Sequence, residues 1–181
     1  MVRLKFRVDD VSSNTNMYEL REMCIFIRKE FDADIFLGVT IFSKYSQDGA
    51  VYPDAPFKDK PLQYFWDVNQ AKHDFSGMYG DIASHGLFHV DHSQLQYDAQ
   101  EMSIVSSCKY LETNMFIPPF NRFNQATEAV CRINGIKLLK LDDGWKSLEF
   151  NDFDESHDLW YFHPWRWTPE TLKEKLCQPK R

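Results

Sequence analysis

The stretch that decides the fold is DIFLGVTIF, residues 34–42, a nearly continuous apolar run rich in β-branched side chains. An apolar run of this length, without polar alternation, is typical of a strand buried on both faces of a parallel sheet. Parallel strands are joined by crossover helices that cover the sheet. The sequence on either side should therefore contain amphipathic helices, and the predicted fold class is α/β.

The upstream sequence supplies the first strand and helix. Residues 2–8 (VRLKFRV) alternate apolar and charged side chains, which predicts a strand with one face on a core, ended by Asp9 and Asp10. Asn16, with Glu19 three residues later, resembles a capping box ahead of an amphipathic helix of about four turns. A strand–helix–strand unit thus ends in residues 34–42.

Downstream, residues 43–80 are irregular and rich in proline and aromatic residues, which predicts a long excursion with one short helix at 63–73. Strands are predicted at 81–84, 114–117, 136–141 and 159–162, and helices at about 93–111, 124–134 and from 168 onward. This alternation predicts parallel strands with crossover helices in a single domain that spans residues 1–181.

Composition excludes several classes of function. Lys+Arg of 21 against Asp+Glu of 27 gives a net charge of −6, and without a basic cluster we expect no nucleic-acid partner. No apolar run approaches the length of a transmembrane helix, and the N-terminus lacks the apolar region of a signal peptide, so we expect a cytoplasmic protein. The four cysteines are far apart, and we expect them to be reduced.

Polar residues collect where the predicted strands end. These residues are Asp9 and Asp10, the segment 85–92, the segment 118–120, Asp142 and Asp143, and His163. In parallel sheets and barrels the C-terminal ends of the strands gather on one face and build the site. Segments distant in the sequence are therefore expected to converge.

The segment 85–92 holds His85, His89 and His92, three of the six histidines of the chain. The spacing of four between His85 and His89 puts two imidazoles on the same side of a turn. An aspartate from another strand end would complete the three-ligand set that leaves a position open for water on a catalytic zinc. A helix cap is the alternative role for one aspartate, but it does not explain two.

These residues resemble the polysaccharide deacetylases of carbohydrate esterase family four, which carry five short motifs in a fixed order on a distorted, incomplete (β/α) barrel. Counterparts of all five span nearly the whole chain. The first two motifs imply that Asp9 is the general base and that Asp10, His85 and His89 are metal ligands. Gly86 stands where the family usually has a hydroxyl residue, so Asp91 or Ser93 is expected to brace this loop.

The third motif, R-x-P-[F/Y], resembles residues 116–120, where Pro119 and Phe120 are kept. The family's arginine, which pairs with the base aspartate, is absent, and Arg122 is the expected substitute. The fourth, D-x-x-D-W, resembles residues 142–145 with one residue fewer, and the fifth ends an apolar strand in a histidine. The resemblance implies that His163 is the general acid, that Asp142 or Asp143 orients it, and that Trp145 walls the acetyl pocket. Further supporting or substrate-contacting residues are expected to be Pro119, Phe120, Arg122, Trp165 and His92.

The resulting hypothesis is a zinc-dependent (Zn²⁺) hydrolase that removes the N-acetyl group from an N-acetylated sugar, such as a nucleotide- or lipid-linked precursor. Two alternatives stay open. One is another metal-dependent hydrolase of C–N bonds, because the chemistry is indifferent to what flanks the amide. The other is a carbohydrate-binding relative without turnover, which the missing arginine and Gly86 favour. The alternative role for His163 is that of a hydrogen-bonded core histidine, and the alternative for Trp145, Trp165 and Trp167 is ordinary core and rim packing rather than contact with a sugar.

Overall fold

The computed structural model describes residues 3–12, 15–41, 44–45, 51–52 and 80–178. The α-helices are α1 (Met17–Phe31), α2 (Tyr97–Tyr110), α3 (Gln125–Ile133) and α4 (Pro169–Leu176). The strands are β1 (Lys5–Val11), β2 (Asp34–Val39), β3 (Lys44–Tyr45), β4 (Val51–Tyr52), β5 (Asp81–Ser84), β6 (Met115–Phe116), β7 (Lys137–Leu138), β8 (Lys146–Ser147) and β9 (Leu159–Phe162). Short 3₁₀ turns cover His92–Gln94, Pro119–Asn121, Leu141–Asp143 and Pro164–Arg166.

Seven strands form one sheet in the order β7-β6-β5-β2-β1-β9-β8, and every pairing in it is parallel. The apolar strand β2 lies near the middle, between β1 and β5, as its composition predicts. No pairing among the described residues joins β7 to β8, so the curled sheet is an open barrel. The prediction of an incomplete (β/α) barrel is confirmed. Strands β3 and β4 form a separate antiparallel pair.

Alternate residues of the central strands pack on opposite faces of the sheet. The outer cluster joins Phe6, Leu37 and Trp160 to the apolar sides of α1 and α4. The inner cluster consists of Phe36, Ala83, Ile117, Leu139 and Trp145. The sequence predicted one buried face for the first strand, but Phe6 to Val11 are all buried, because the curled sheet encloses its inner face as well.

The predicted helix starts are confirmed for three of the helices. The Asn16 side chain accepts a hydrogen bond from the Glu19 amide, and Asn124 and Thr168 each take part in a capping box. The start predicted at Ser93 is wrong, because Asp91 caps a separate 3₁₀ turn there and α2 begins at Tyr97.

Several strand boundaries also differ from the prediction: β2 ends at Val39 rather than at residue 42, and β6 is limited to Met115–Phe116. The first strand does not end at Asp9 but continues through both aspartates to Val11. The strand predicted at 136–141 is limited to Lys137–Leu138, and a 3₁₀ turn follows at Leu141–Asp143. The helix predicted at 63–73 falls outside the described residues.

The cysteines are free thiols, and Cys24, Cys108 and Cys131 are buried on helices α1, α2 and α3, as expected of reduced apolar residues. Burial raises the pKa of each of these three thiols to about 12. Within the parts of the chain that the structure describes, none of the helices has both the length and the apolar character that crossing a membrane requires.

Candidate metal centre

A bulge in β1 places two carboxylates side by side. Val8 pairs with Leu37 and Val11 with Val39, so β1 has one residue more than β2 between these pairs. Asp10 has a left-handed backbone (φ 61°), which is uncommon for a residue other than glycine and marks a constrained functional position. Both Asp9 and Asp10 are buried. The bulge thus allows adjacent residues to serve the same site.

Asp10, His85 and His89 form a buried cluster whose candidate ligand atoms all lie within 4.8 Å of one another. The Oδ1 atom of Asp10 lies 3.2 Å from Nε2 of His85 and 2.8 Å from Nε2 of His89. Burial raises the pKa of Asp10, but the hydrogen bonds and charges of the two histidines outweigh burial and hold that pKa well below its usual value. Two imidazole nitrogens and one carboxylate oxygen are a donor set that fits a catalytic zinc ion.

A backbone contact fixes the orientation of His85. Its Nδ1 atom lies 2.8 Å from the Ile117 carbonyl oxygen, which can only accept, so Nδ1 carries the proton. Nε2 is then the ring atom that would offer its lone pair to a metal ion held in the cluster. Such a backbone partner fixes both the tautomer and the ring orientation of a metal-binding histidine.

The loop that carries both histidines requires glycine at position 86. Gly86 has φ 91°, and a Cβ atom added there would lie 2.8 Å from the Phe88 carbonyl oxygen and 3.1 Å from Cε1 of His92. The Gly86 amide donates to Oγ of Ser84 at 3.1 Å, and the Leu87 amide donates to Oγ of Ser103 at 3.3 Å. The hydroxyl groups that brace this loop therefore come from β5 and α2.

Asp91 and Ser93, the residues expected to brace that loop, act one turn later instead. The Asp91 carboxylate accepts from the Ser93 amide at 3.0 Å and from the Ser93 hydroxyl at 2.6 Å. These bonds cap the turn at His92–Gln94. The expectation is corrected because a side chain at the start of this turn lies within reach of its own amides rather than of Gly86.

His92 does not join the metal cluster. Its Nδ1 donates to the Val90 carbonyl oxygen at 3.0 Å, its Nε2 lies 3.1 Å from Oγ of Ser103, and its ring packs edge-on against Phe116. Burial lowers the pKa of His92 to about 4. It is a neutral, hydrogen-bonded core histidine beneath the loop.

Arg7 holds the carboxylate of Asp9, a pairing that the sequence analysis missed. Its Nε donates to Oδ1 at 2.9 Å and its terminal NH2 group to Oδ2 at 2.8 Å. The Arg7 side chain is 0% exposed. It pairs with Asp9 as the resemblance implies that the arginine of the third motif would. The period-two pattern of β1 was the available signal, since residues 7 and 9 share a face of the strand.

Arg122, the expected substitute, lies on the surface. It donates to Oδ2 of Asp91 at 3.0 Å, and its side chain is 67% exposed. The expectation that it pairs with Asp9 is therefore corrected: Arg7 occupies both carboxylate oxygens from within the same strand.

His163, at the end of β9, faces the cluster from the other side. Its Nε2 lies 3.8 Å from Oδ2 of Asp10, and its Nδ1 lies 2.7 Å from Oε1 of Glu149. The same Glu149 oxygen accepts from the His163 backbone amide at 2.9 Å. Burial lowers the pKa of His163, but the hydrogen bond to Glu149 and the charges of Asp10 and Asp9 outweigh burial and raise it.

Glu149 therefore takes the place that the sequence analysis gave to Asp142 or Asp143. Those two aspartates are exposed on the turn Leu141–Asp143. The expectation is corrected because β8 pairs with β9, and the chain that follows β8 brings the Glu149 carboxylate onto His163 at the end of β9. A glutamate two residues after Ser147 was not recognised, since β8 itself is too short to show a strand pattern.

Aromatic and apolar side chains surround these groups. The ring of Phe120 packs against His89 with centroids 4.4 Å apart, although Phe120 is 53% exposed, and Pro119 beside it is buried. Nε1 of Trp165 donates to Oδ2 of Asp10 at 3.4 Å, and its ring lies 5.4 Å from that of His163. Trp145 is buried in the inner cluster.

A groove of about 530 Å³ opens beside Trp165. It runs between the start of α1 and the turn before α4, and its lining includes Asn16, Glu19, Trp165, Arg166 and Trp167. The Arg166 guanidinium stacks on the Trp165 ring at 4.6 Å. Indole faces are surfaces on which sugar rings can stack, and the groove adjoins the metal cluster through Trp165.

No protein-family model matches the sequence, and no curated protein matches it. Solved structures do match. A family 4 carbohydrate esterase from Streptomyces lividans has 13% identity and a TM-score of 0.61, over 96% of this chain and 84% of that one. The peptidoglycan deacetylase PdaC from Bacillus subtilis has 11% identity and a TM-score of 0.62, over 96% of this chain and 81% of that one.

A family 4 pseudoenzyme from Bacillus anthracis is similar to the same degree, with 13% identity and a TM-score of 0.63, over 96% of this chain and 60% of that one. Identities this low establish the fold alone, and this fold is shared by a peptidoglycan deacetylase and a pseudoenzyme. The chain has the fold of the family 4 carbohydrate esterases, the polysaccharide deacetylases that its motifs resemble.

Proposed function

We propose that this protein is a metal-dependent hydrolase that removes the acetyl group from an N-acetylated sugar. The observation that carries the proposal is the cluster of Asp10, His85 and His89. Two groups that can transfer protons, Asp9 and His163, lie beside this cluster. The donor set and its burial fit a zinc ion. A divalent ion held by these three residues would lower the pKa of a water molecule and polarise the amide carbonyl.

Asp9 and His163 have different hydrogen-bond partners, and these partners support different roles for the two residues. Asp9 is an acceptor whose oxygens are fixed by Arg7, which suits a general base that takes a proton from the attacking water. His163 has a raised pKa and a carboxylate behind its Nδ1, which suits a general acid that gives its Nε2 proton to the departing amine.

The substrate class follows from the surroundings of the cluster. Phe120, exposed beside His89, and Trp165, beside His163, offer apolar faces for an acetyl group and a sugar ring. The groove lined by Trp165 and Trp167 gives room for a sugar or a short oligosaccharide. An N-acetylated carbohydrate is therefore the first substrate to test.

Three variants test the assignment. The protein is loaded with zinc, bound metal is counted by elemental analysis, and acetate release is measured on a panel of N-acetylated sugars. Asp10→Ala should abolish zinc binding. Asp9→Asn and His163→Gln should keep zinc and lose turnover by about 10²- to 10⁴-fold, the usual contribution of an acid or base.

Two results would overturn the proposal. The first is that wild-type protein binds no divalent metal, because the proposed hydrolysis depends on one. Stoichiometric zinc with no acetate from any sugar, and with sugar binding unchanged in Asp9→Asn, would instead identify a carbohydrate-binding relative without turnover, as the similarity to a pseudoenzyme allows.

A further inference from the structure

Arg7 is a charged side chain inside the barrel. It is 0% exposed and lies on the inner face of β1, between the rings of Trp145 and Tyr161, whose centroids are 5.4 and 5.1 Å from its guanidinium carbon. A buried charge is unfavourable unless it is paired and hydrogen-bonded. Its position near the metal cluster therefore needs an explanation.

The partners of Arg7 use four of the five N–H groups of a guanidinium. Two donate to the two oxygens of Asp9, one donates to the Leu139 carbonyl oxygen at 3.0 Å, and one donates to Oδ1 of Asn121. These partners lie on β1, after β7 and in the turn Pro119–Asn121. Because they come from three separate segments, they hold the guanidinium in one place and one orientation.

The pair of hydrogen bonds from Arg7 determines the orientation of the Asp9 carboxylate. A carboxylate that accepts two parallel bonds from one guanidinium cannot rotate about its last torsion without breaking one of them. Two aromatic rings and two further acceptors prevent the guanidinium from following such a rotation. The Asp9 carboxylate is thus fixed beside Asp10.

The turn that carries Asn121 is itself constrained. Phe120 and Asn121 both have left-handed backbones, with φ 56° and 55°. Such conformations are unfavourable for residues other than glycine, and they are concentrated at functional sites. The turn places Asn121 on Arg7 and the Phe120 ring on His89. Arg7 therefore connects Asp9 to the segment that packs on a metal ligand.

The geometry points to Arg7 as the positioning residue for Asp9 in the reaction, an inference that rests on the proposed function. The guanidinium comes from the first strand, two residues before the base. At the position of the missing motif arginine, Ile117 is fully buried in the inner cluster. The third motif has thus lost its arginine, and the inner face of β1 supplies one instead.

Kinetic measurements on zinc-loaded protein distinguish an Arg7 that positions Asp9 from an Arg7 that only stabilises the core. Arg7→Lys keeps the buried charge but replaces the planar fork with a single point of attachment. We expect unchanged zinc stoichiometry, a kcat about 10- to 100-fold lower and a KM within about threefold of wild type, because a misplaced catalytic group costs on this order. The matched control is Arg132→Lys on the exposed side of α3, which should change neither constant. A kcat of Arg7→Lys within about threefold of wild type would overturn the inference.

A second measurement does not depend on turnover. The midpoint of thermal unfolding is compared for wild type, Arg7→Met, Asp9→Asn and the double variant. Each single substitution leaves one buried charge unpaired, and each should lower the midpoint by roughly 10 °C, whereas the double variant should lose clearly less than the sum.

The two measurements distinguish the possible failures. If wild-type protein releases no acetate, the proposed function fails, while the unfolding cycle still reports whether Arg7 serves Asp9. If the two losses add instead, Arg7 does not act through Asp9 and the inference fails, whatever the activity of the enzyme.

Discussion

Replacing Glu149 with glutamine tests the assignment of His163 most directly. The Glu149 carboxylate accepts from Nδ1 of His163 at 2.7 Å, from the His163 amide at 2.9 Å and from the Ser147 hydroxyl at 3.0 Å. Glutamine has nearly the same shape and keeps one acceptor oxygen. The substitution therefore removes the negative charge behind the imidazole while preserving most of the packing.

The expected magnitude follows from the change in that bond. A hydrogen bond to a charged group contributes about 1.5–3 kcal/mol and a neutral one about 0.5–1.5 kcal/mol, so the protonated imidazole loses about 1–1.5 kcal/mol. That loss alone is roughly a tenfold decrease in rate. A glutamine that turns its NH2 group towards Nδ1 would also fail to fix the tautomer, which extends the decrease towards the roughly 100-fold at the low end of a general acid's whole contribution. We expect a kcat about 10- to 100-fold lower.

Zinc affinity should not change in Glu149→Gln, because the hydrogen bonds of Glu149 go to His163 and Ser147. The assay is steady-state acetate release by zinc-loaded protein, with bound zinc measured in the same samples. Asp142→Asn and Asp143→Asn serve as controls and should stay within about twofold of wild type, as exposed substitutions usually do. If either control lost more than Glu149→Gln, the sequence-based partner would be restored and the reasoning from the structure refuted.

Two further predictions concern the loop that carries His85 and His89. Gly86→Ala should lower the free energy of unfolding by about 1–3 kcal/mol and weaken zinc binding. The reason is that Gly86 has a left-handed backbone and that an added Cβ would meet the Phe88 carbonyl oxygen. Chemical denaturation measures the first effect and zinc titration the second. Burial lowers the pKa of His92 from 6.5 to about 4, so between these pH values the unfolded chain takes up a proton that the folded chain does not. Stability should therefore be complete above pH 6.5 and fall by up to about 3 kcal/mol as pH decreases to 4. Urea unfolding should show a flatter pH dependence for His92→Gln, and an unchanged slope would contradict this account.

The sequence predicted the convergence of the site because that convergence depends on topology. Once strands are parallel, their C-terminal ends lie on one edge, so Asp9, Asp10, His85 and His163 are neighbours despite their separation along the chain. The period-two and apolar-run patterns were sufficient to predict that arrangement. The central position of β2 follows from the same reasoning.

The partners of the acid and the base could not be predicted in this way. Arg7 belongs to an alternating strand, and an alternating pattern predicts that its charged face meets water. The curling of the sheet buries that face, and this is a property of the whole barrel that a strand pattern does not contain. Glu149 was missed for a local reason, since it follows a two-residue strand that has no detectable periodicity.

The adjacent aspartates of β1 show why these partners matter to the chemistry. Asp9 and Asp10 are of the same residue type, are both buried and sit in the same bulge, so nothing intrinsic to either one decides which binds metal. Arg7 occupies both oxygens of Asp9, whereas Asp10 faces two imidazoles. On the proposed function, a guanidinium two residues upstream would therefore assign one carboxylate to proton transfer and the other to the metal. Loss of the guanidinium in Arg7→Met should free Asp9 to compete with Asp10 for the ion, so the kcat of zinc-loaded Arg7→Met is expected to fall below that of Arg7→Lys, which keeps a positive charge beside Asp9.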